Sequence, residues 1–297
     1  MKPNITIVIP CYNEEENIPI FFSKLLEFVR QHNFLVIAVN DGSKDNTLHE
    51  LQRFANNDYI KIISYKCNKG YGGAIKTGLR AVTTEFAITI DSDGQHRFED
   101  VLKCYEHIVK TNADMVVGSR LNNESGGYRT LGKWIIRTFA TSLLNLPVKD
   151  LNSGMKCYRI KETLDFLDLC PDTMAYSDCI LLLMVNDHKL VTETSIKISP
   201  RVAGKSTIDT KTAIVTLTEI LNLAVLLRPL TTFCRLATFF ILTGICWGIF
   251  TFLRSCTITS FSVMMIMMGV MSFMLGLLCE QLSQIRRKLA KISDSES

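Results

Sequence analysis

Asp91-Ser92-Asp93-Gly94-Gln95 sets two carboxylates and an amide oxygen at alternate positions. Hard divalent cations such as Mg2+ or Mn2+ take oxygen ligands, and Mg2+ is commonly held by one or two carboxylates together with substrate phosphates. Carboxylates this close repel each other unless a cation or hydrogen bonds compensate. A bare Asp-x-Asp is also what a capped, solvated turn looks like, but this one follows the apolar run Phe86–Ile90 directly. Asn40-Asp41-Gly42-Ser43 stands at the end of another apolar run. An Asp there can accept hydrogen bonds from a nucleobase or ribose, and Asn-Asp-Gly is equally ordinary turn chemistry. Asn68-Lys69-Gly70-Tyr71-Gly72-Gly73 reads as a flexible loop that opens a helix and lets backbone approach a ligand. It is not a dinucleotide fingerprint, because Ile75 stands where a glycine is needed. It is not a P-loop either, because Leu79-Arg80 follows Gly78.

Strands must carry these loops. Ile5–Pro10, Leu35–Val39, Ile60–Tyr65, Phe86–Ile90 and Asp114–Gly118 are short runs rich in β-branched residues. Helices are predicted between them, to about Arg30, then over 46–56, 72–82 and 100–111. Asn13 with Glu16 resembles a capping box for the first. Alternating strands and helices give an α/β fold, a mainly parallel sheet with helices on both faces. Ligands bind such sheets at the carboxyl ends of the strands. The informative loops are therefore 11–16, 40–45, 66–73 and 91–96. Beyond Gly118 a loop, a helix near 132–145, the segment Asp150–Tyr158, a further helix and an edge-like strand at 192–198 follow.

The chain has 297 residues, 47% of them hydrophobic, and a net charge of +4. The apolar excess is concentrated: from Leu236 to Cys279 the only formal charge is Arg254. Phe233–Leu253 and Ile258–Gln281 each supply the ~20 residues that one membrane crossing needs, which predicts a helical hairpin. Two buried helices of a soluble core are the alternative. An amphipathic helix on the membrane surface is expected at Thr212–Leu227, broken at Arg228-Pro229. Arg228 and Arg235 precede the hairpin, and Arg286, Arg287, Lys288 and Lys291 follow it. The positive-inside bias then puts both flanks in the cytoplasm, with Arg254 dissenting. The expected domains are 1–210, 211–231, 232–282 and a basic tail, 283–297. Charge is nearly balanced over 1–205, which argues against a nucleic-acid partner. The 10 cysteines form no CxxC, and they read as reduced and mostly buried. No leader peptide is expected before the first strand.

Taken in order, Val8–Asn17, Asn40–Asp45, Asn68–Gly78 and Asp91–Gln95 resemble the inverting family 2 glycosyltransferases of the GT-A fold. Val117-Gly118-Ser119-Arg120, Asp150–Lys156 and Arg201–Ser206 are similar to the branch that serves polyprenyl phosphates, such as dolichol-phosphate mannosyltransferase. The likeness spans roughly residues 4–210. Asn40 stands where Asp is common, Met155-Lys156 where Phe-Arg is usual, and Thr207 where Lys often follows.

The resemblance implies a nucleotide-sugar donor framed by Pro10, Tyr12, Glu14, Asp41, Lys69 and Asp91. It implies Mg2+ or Mn2+ on Asp91, Asp93 and Gln95, with Asp93 catalytic. Arg120 and Arg201 would aim and neutralise the phosphate of a polyprenyl acceptor, with Ser153, Lys156 and Lys205 beside them. Asp150 would orient an arginine or act as a base. His96 reads as a surface imidazole, and Arg129 and Arg137 as a solvated helix face. The sequence leaves room for a homo-oligomer. Transfer to a glycolipid or polysaccharide and a non-catalytic membrane scaffold are the competing readings.

Overall fold

In the computed structural model, residues 4–120, 147–151, 153–197 and 229–295 are described, with side chains up to 285. The chain divides into two compact units, 1–216 and 217–297. In the first, seven strands make one sheet in the order β3-β2-β1-β4-β6-β5-β7. They are β1 (Ile5–Cys11), β2 (Leu35–Asn40), β3 (Ile60–Ser64), β4 (Phe86–Thr89), β5 (Met115–Arg120), β6 (Lys156–Arg159) and β7 (Val191–Ile196). All pairs are parallel except those of β6, which runs against both β4 and β5. The antiparallel strand begins in the segment Asp150–Tyr158, whose sequence pattern marks no element. Its consequence is geometric: β6 begins where its parallel neighbours end, so the turn before it arrives at their carboxyl edge.

The two faces of the sheet follow from the period-2 alternation of the strands. Ile5, Ile7, Ile9, Val36 and Ala38 pack on one side against α1 (Ile18–His32) and α4 (Phe98–Thr111). On the other, Ile37 and Val39 pack against Ala74 of α3 (Tyr71–Arg80). Helix α1 buries Ile18, Phe21, Phe22, Leu25 and Val29, the i, i+3, i+4, i+7 set of one helical stripe, and Asn33 ends it in the left-handed region. Helices thus cover both faces.

Two local expectations change. Asn13 does not cap α1, which starts beyond Asn17 without a side-chain cap. It sits at φ 54° and links across to the next loop instead. Helix α2 covers only Thr47–Gln52, because the chain then tightens into turns: the Phe54 and Ala55 amides donate three residues back, to Leu51 and Gln52. Short α5 (Ile160–Thr163), a 3-10 turn (Leu164–Leu169) and α6 (Tyr176–Asn186) lead to β7.

The second unit is a pair of helices, α7 (Pro229–Ser255) and α8 (Ser260–Ser295). Along α8 the buried positions Ser262, Gly269, Gly276 and Ser283 recur every seven residues, with Ser272 buried between them. The period is that of a left-handed helix pair. They meet α7: a Cβ on Gly269 would lie 2.5 Å from Ile241 Cγ1, and one on Gly276 2.7 Å from Phe233 Cβ. Small residues let the backbones approach, and close packing is what holds apolar helices together where no hydrophobic drive remains. Met264, Met267, Met271 and Met274 point away from the seam and are exposed. Both helices are long and apolar enough to cross a membrane, with only 11% and 17% of their apolar windows buried. The helices of a soluble core would be mostly covered.

All ten cysteines are free. Those of the sheet unit are buried except Cys67, whereas Cys246 and Cys256 of the hairpin are exposed. The predicted helices at 132–145 and 212–227 lie outside the described residues, as do Arg129, Arg137, Arg201 and Lys205.

Candidate active site

Four loops meet at the carboxyl edge of the sheet. The loops after β1 and β2 are laced together. The Asn13 amide donates to Ser43 Oγ (3.1 Å) and Asn13 Oδ1 accepts from the Lys44 amide (2.9 Å). The Glu14 amide donates to Thr47 Oγ1 (2.7 Å), and the Asn46 amide donates to Glu15 Oε2 (2.8 Å). Glu14 itself accepts from Asn17 Nδ2 at 2.6 Å. Pro10 pairs with Val39 in the β1–β2 register, and Tyr12 is 42% exposed.

Asp41 is buried, and both its oxygens are engaged. Oδ1 accepts from the Lys69 amide at 2.7 Å and Oδ2 from the Gly70 amide at 2.9 Å. The carboxylate thus caps the glycine-rich loop. Gly70 has φ 95°, and a Cβ there would lie 2.5 Å from the Asp172 carbonyl oxygen; only glycine meets both conditions. The Gly73 amide donates to the same oxygen at 3.1 Å. The expected close approach of backbone to a ligand is therefore, at these glycines, an approach to the protein's own 171–172 segment. Lys69 Nζ lies 4.0 Å over the Tyr65 ring.

The first turn of α3 also brings a residue that sequence reading overlooked. Tyr71 Oη donates to Asp91 Oδ1 at 3.1 Å. His96 Nε2 lies 3.5 Å from Asp91 Oδ2. His96 is buried, not a surface imidazole, and its Nδ1 has no hydrogen-bond partner. Burial pushes the Asp91 carboxyl up, but the bonds from His96 and Tyr71 and the charge of Arg120 outweigh it and hold the group below the usual range. Asp93 is buried too, and its Oδ1 accepts from the Gln95 amide at 3.1 Å. The donor set of Asp91, Asp93 and Gln95 is all oxygen and suits a hard cation. Among the described residues no cluster of three His, Cys, Asp or Glu side chains forms a cage. A cation here would need further oxygens from a ligand.

Arg120, at the end of β5, grips Asp150 with a planar fork: Nε to Oδ2 2.6 Å and Nη2 to Oδ1 2.9 Å. The Arg120 amide adds a third bond, to Oδ2 at 3.2 Å. The bond to Asp150 pushes Arg120 up. Burial pushes Asp150 up, but Arg120 more than offsets it and holds the carboxyl below its ordinary value. Gly154 closes the arrangement, since a Cβ there would lie 2.7 Å from Asp91 Oδ2. The turn that carries Asp150 is thus in contact with the Asp-x-Asp motif.

Ser153 and Lys156 are placed differently from open phosphate contacts. Ser153 is fully buried, its hydroxyl 3.4 Å from the Met155 carbonyl. Lys156 opens β6 between Thr89 and Val117 and is 1% exposed. The antiparallel strand carries its side chain into the protein, where the ammonium donates to the Leu151 and Ser153 carbonyls and to Ser177 Oγ. No pattern in the sequence separates a buried lysine from a ligand-facing one.

Comparison with known proteins gives the family. Residues 6–165 match the family described as Glycosyl transferase family 2, and residues 228–285 match the GtrB C-terminal hairpin. The UDP-N-acetylglucosamine–dolichyl-phosphate N-acetylglucosaminyltransferase of Methanococcus voltae is 36% identical over 40% of this chain and 53% of its own. The dolichol-phosphate mannosyltransferase of Pyrococcus furiosus is 28% identical over 70% of this chain and 60% of its own. The matched region thus spans little more than half the length of these relatives. A crystal structure of glucosyl-3-phosphoglycerate synthase from Mycobacterium tuberculosis, with Mn2+, UDP and glucosyl-3-phosphoglycerate, shares the fold at TM-score 0.57 and 14% identity, covering 74% of this chain and 80% of that one. With more than half of its length matched, the chain belongs to glycosyl transferase family 2.

Proposed function

We propose that the protein moves a hexose from a nucleotide sugar, of the GDP-mannose or UDP-glucose type, to a polyprenyl phosphate in the membrane, inverting the anomeric centre. One observation carries this reading. The turn that presents the Arg120–Asp150 fork touches the Asp-x-Asp carboxylate through Gly154. A cation suited to phosphate and a motif suited to a diphosphate therefore share the carboxyl edge of the sheet. The relatives named for dolichyl phosphate and the GtrB-type hairpin point to a lipid acceptor.

Pro10, Tyr12, Glu14, Asp41 and Lys69 frame the nucleoside, with Asp41 acting through the loop amides it caps. Asp91, Asp93 and Gln95 would hold Mg2+ or Mn2+, which supplies charge neutralisation for the leaving nucleoside diphosphate. The acceptor phosphate has a second pKa of about 6, so it is already anionic near neutral pH. It needs neutralising and aiming more than it needs a base. Arg120, with Arg201 and Lys205, supplies positive charge, and a guanidinium fork matches phosphate oxygens. Asp150, with both oxygens on Arg120, orients that arginine. The hairpin crosses the membrane, residues 1–210 form the catalytic domain, and the basic flanks put that domain and the C-terminus in the cytoplasm.

The test is a donor screen on membranes that contain the protein. Labelled GDP-mannose, UDP-glucose and UDP-N-acetylglucosamine are each supplied with Mg2+ or Mn2+ and polyprenyl phosphate. A lipid product labile to mild acid is expected with one of them. Donor cleavage without such a product overturns the reading. A reporter at Ser297 found outside the cytoplasm overturns the topology.

A further inference from the structure

We propose that Lys156 is a positioning residue for this transfer, its buried ammonium clamping the turn that joins Arg120–Asp150 to Asp91. The inference rests on the transferase reading above. The ammonium has three N–H donors and three oxygens meet it: Leu151 O at 3.1 Å, Ser153 O at 2.5 Å, and Ser177 Oγ. The same turn is held at two further points. Ser177 Oγ donates to Ser153 O at 3.0 Å, and Thr89 Oγ1 donates to Gly154 O at 2.8 Å. Three carbonyls of residues 151–154 are thereby fixed, two of them by one cation. At one end of the turn stands Asp150 with Arg120 in its fork. At the other stands Gly154, against Asp91 Oδ2. Loss of the ammonium takes a donor from the buried Leu151 carbonyl and leaves the Ser153 carbonyl to Ser177 alone, and a buried carbonyl without its donor is unfavourable. The turn would then move, and with it the spacing between the phosphate-gripping arginine and the Asp-x-Asp carboxylate.

The clamp is sensitive to pH. Burial lowers the Lys156 amine to about 8, against the opposing pull of Asp178 on α6, Asp150 in the turn and Asp91 in the loop after β4, with Arg120 on β5 adding to the drop. A neutral amine keeps two N–H donors and turns a lone pair toward a carbonyl oxygen. The clamp therefore loosens as pH rises through this value.

The experiment is a pH–rate profile of transfer by the full-length protein, from pH 6 to pH 10. It uses wild type, Lys156→Arg and Ser177→Ala. Wild-type kcat should fall about tenfold per pH unit above the amine's pKa, with donor KM little changed. Lys156→Arg should lose that alkaline limb, because a guanidinium stays charged. Ser177→Ala, which removes one acceptor of the ammonium, should move the limb to lower pH; this variant decides alone if Lys156→Arg does not fold. A wild-type profile flat to pH 10, or a limb unmoved in the variants, overturns the inference and leaves the transferase reading intact. Absence of transfer by wild type at every pH overturns that reading and the inference with it.

Discussion

The loops after β1 and β2 and the turn before β6 lie at one edge of the sheet but are held by different bonds. The first pair is laced by backbone amides donating to Ser, Thr, Asn and Glu side chains, and the Asp41 carboxylate caps two more amides. The second is held by cations: a guanidinium on Asp150 and an ammonium on two carbonyls. Many bonds share that load, so the loss of one is partly absorbed. A single buried charge has no substitute, and the group it leaves behind is stranded. The loops after β1 and β2 should therefore degrade gradually under substitution, and the turn before β6 abruptly.

The substitutions that test this contrast differ in size. Asp93→Asn removes a proposed metal carboxylate and should lower transfer by about 10³-fold or more, while the protein still reaches the membrane. Retained activity in the membrane assay would remove the metal assignment. Arg120→Ala strands the Asp150 carboxylate. It should cost about 10²–10³-fold in kcat and show as a matching loss with every donor tried. Gly154→Ala pushes a methyl group against Asp91 and should cost roughly 10-fold or more in kcat, as ~1–3 kcal/mol of overpacking strain implies. Asp41→Asn keeps one acceptor for the glycine loop and loses the other. Its effect should fall on donor KM, raised about 10-fold by the loss of one charge-assisted bond; an effect on acceptor KM instead would break the division of labour.

The smallest expected effect is on stability. Asp150 is held below its ordinary pKa in the folded protein. Its contribution is therefore fully present above the unfolded value of about 3.9, and it is lost as pH falls through the lower folded value. The stability difference between wild type and Asp150→Asn in detergent should be flat from neutral pH to about 5 and shrink only below about 4. A difference that already shrinks near pH 6 would mean that the Arg120 fork does not hold the carboxyl down.

The strand-end loops were legible because their signals are local. A β-branched run followed by Asp-x-Asp or Asn-Asp-Gly-Ser fixes both the strand and the polar turn that ends it. The hairpin was legible for the same reason, since length and apolarity alone decide it. Lys-Cys-Tyr-Arg at 156–159 was not legible as a strand. It is short, it begins on a lysine, and its pairing partners are more than 30 residues away. Tyr71 escaped notice because its contact with Asp91 spans separate loops, and His96 was misread as a surface group because its burial against Asp91 depends on how the loop they share folds back. The Asn13–Glu16 spacing misled, because Asn13 found better partners on a neighbouring loop than on its own helix.

The sequence by itself determined the alternation of strands and helices, the carboxyl-edge loops with their oxygen-rich chemistry, and a C-terminal pair of apolar helices. Periodicity and turn chemistry act within a few residues and need no other part of the chain. Tertiary structure alone decided the reversal of β6, the contact of Gly154 with Asp91, and the turn of Lys156 from the ligand side into the protein. Those depend on which strand lies beside which, and a buried ammonium is tolerated only where distant carbonyls converge to meet it.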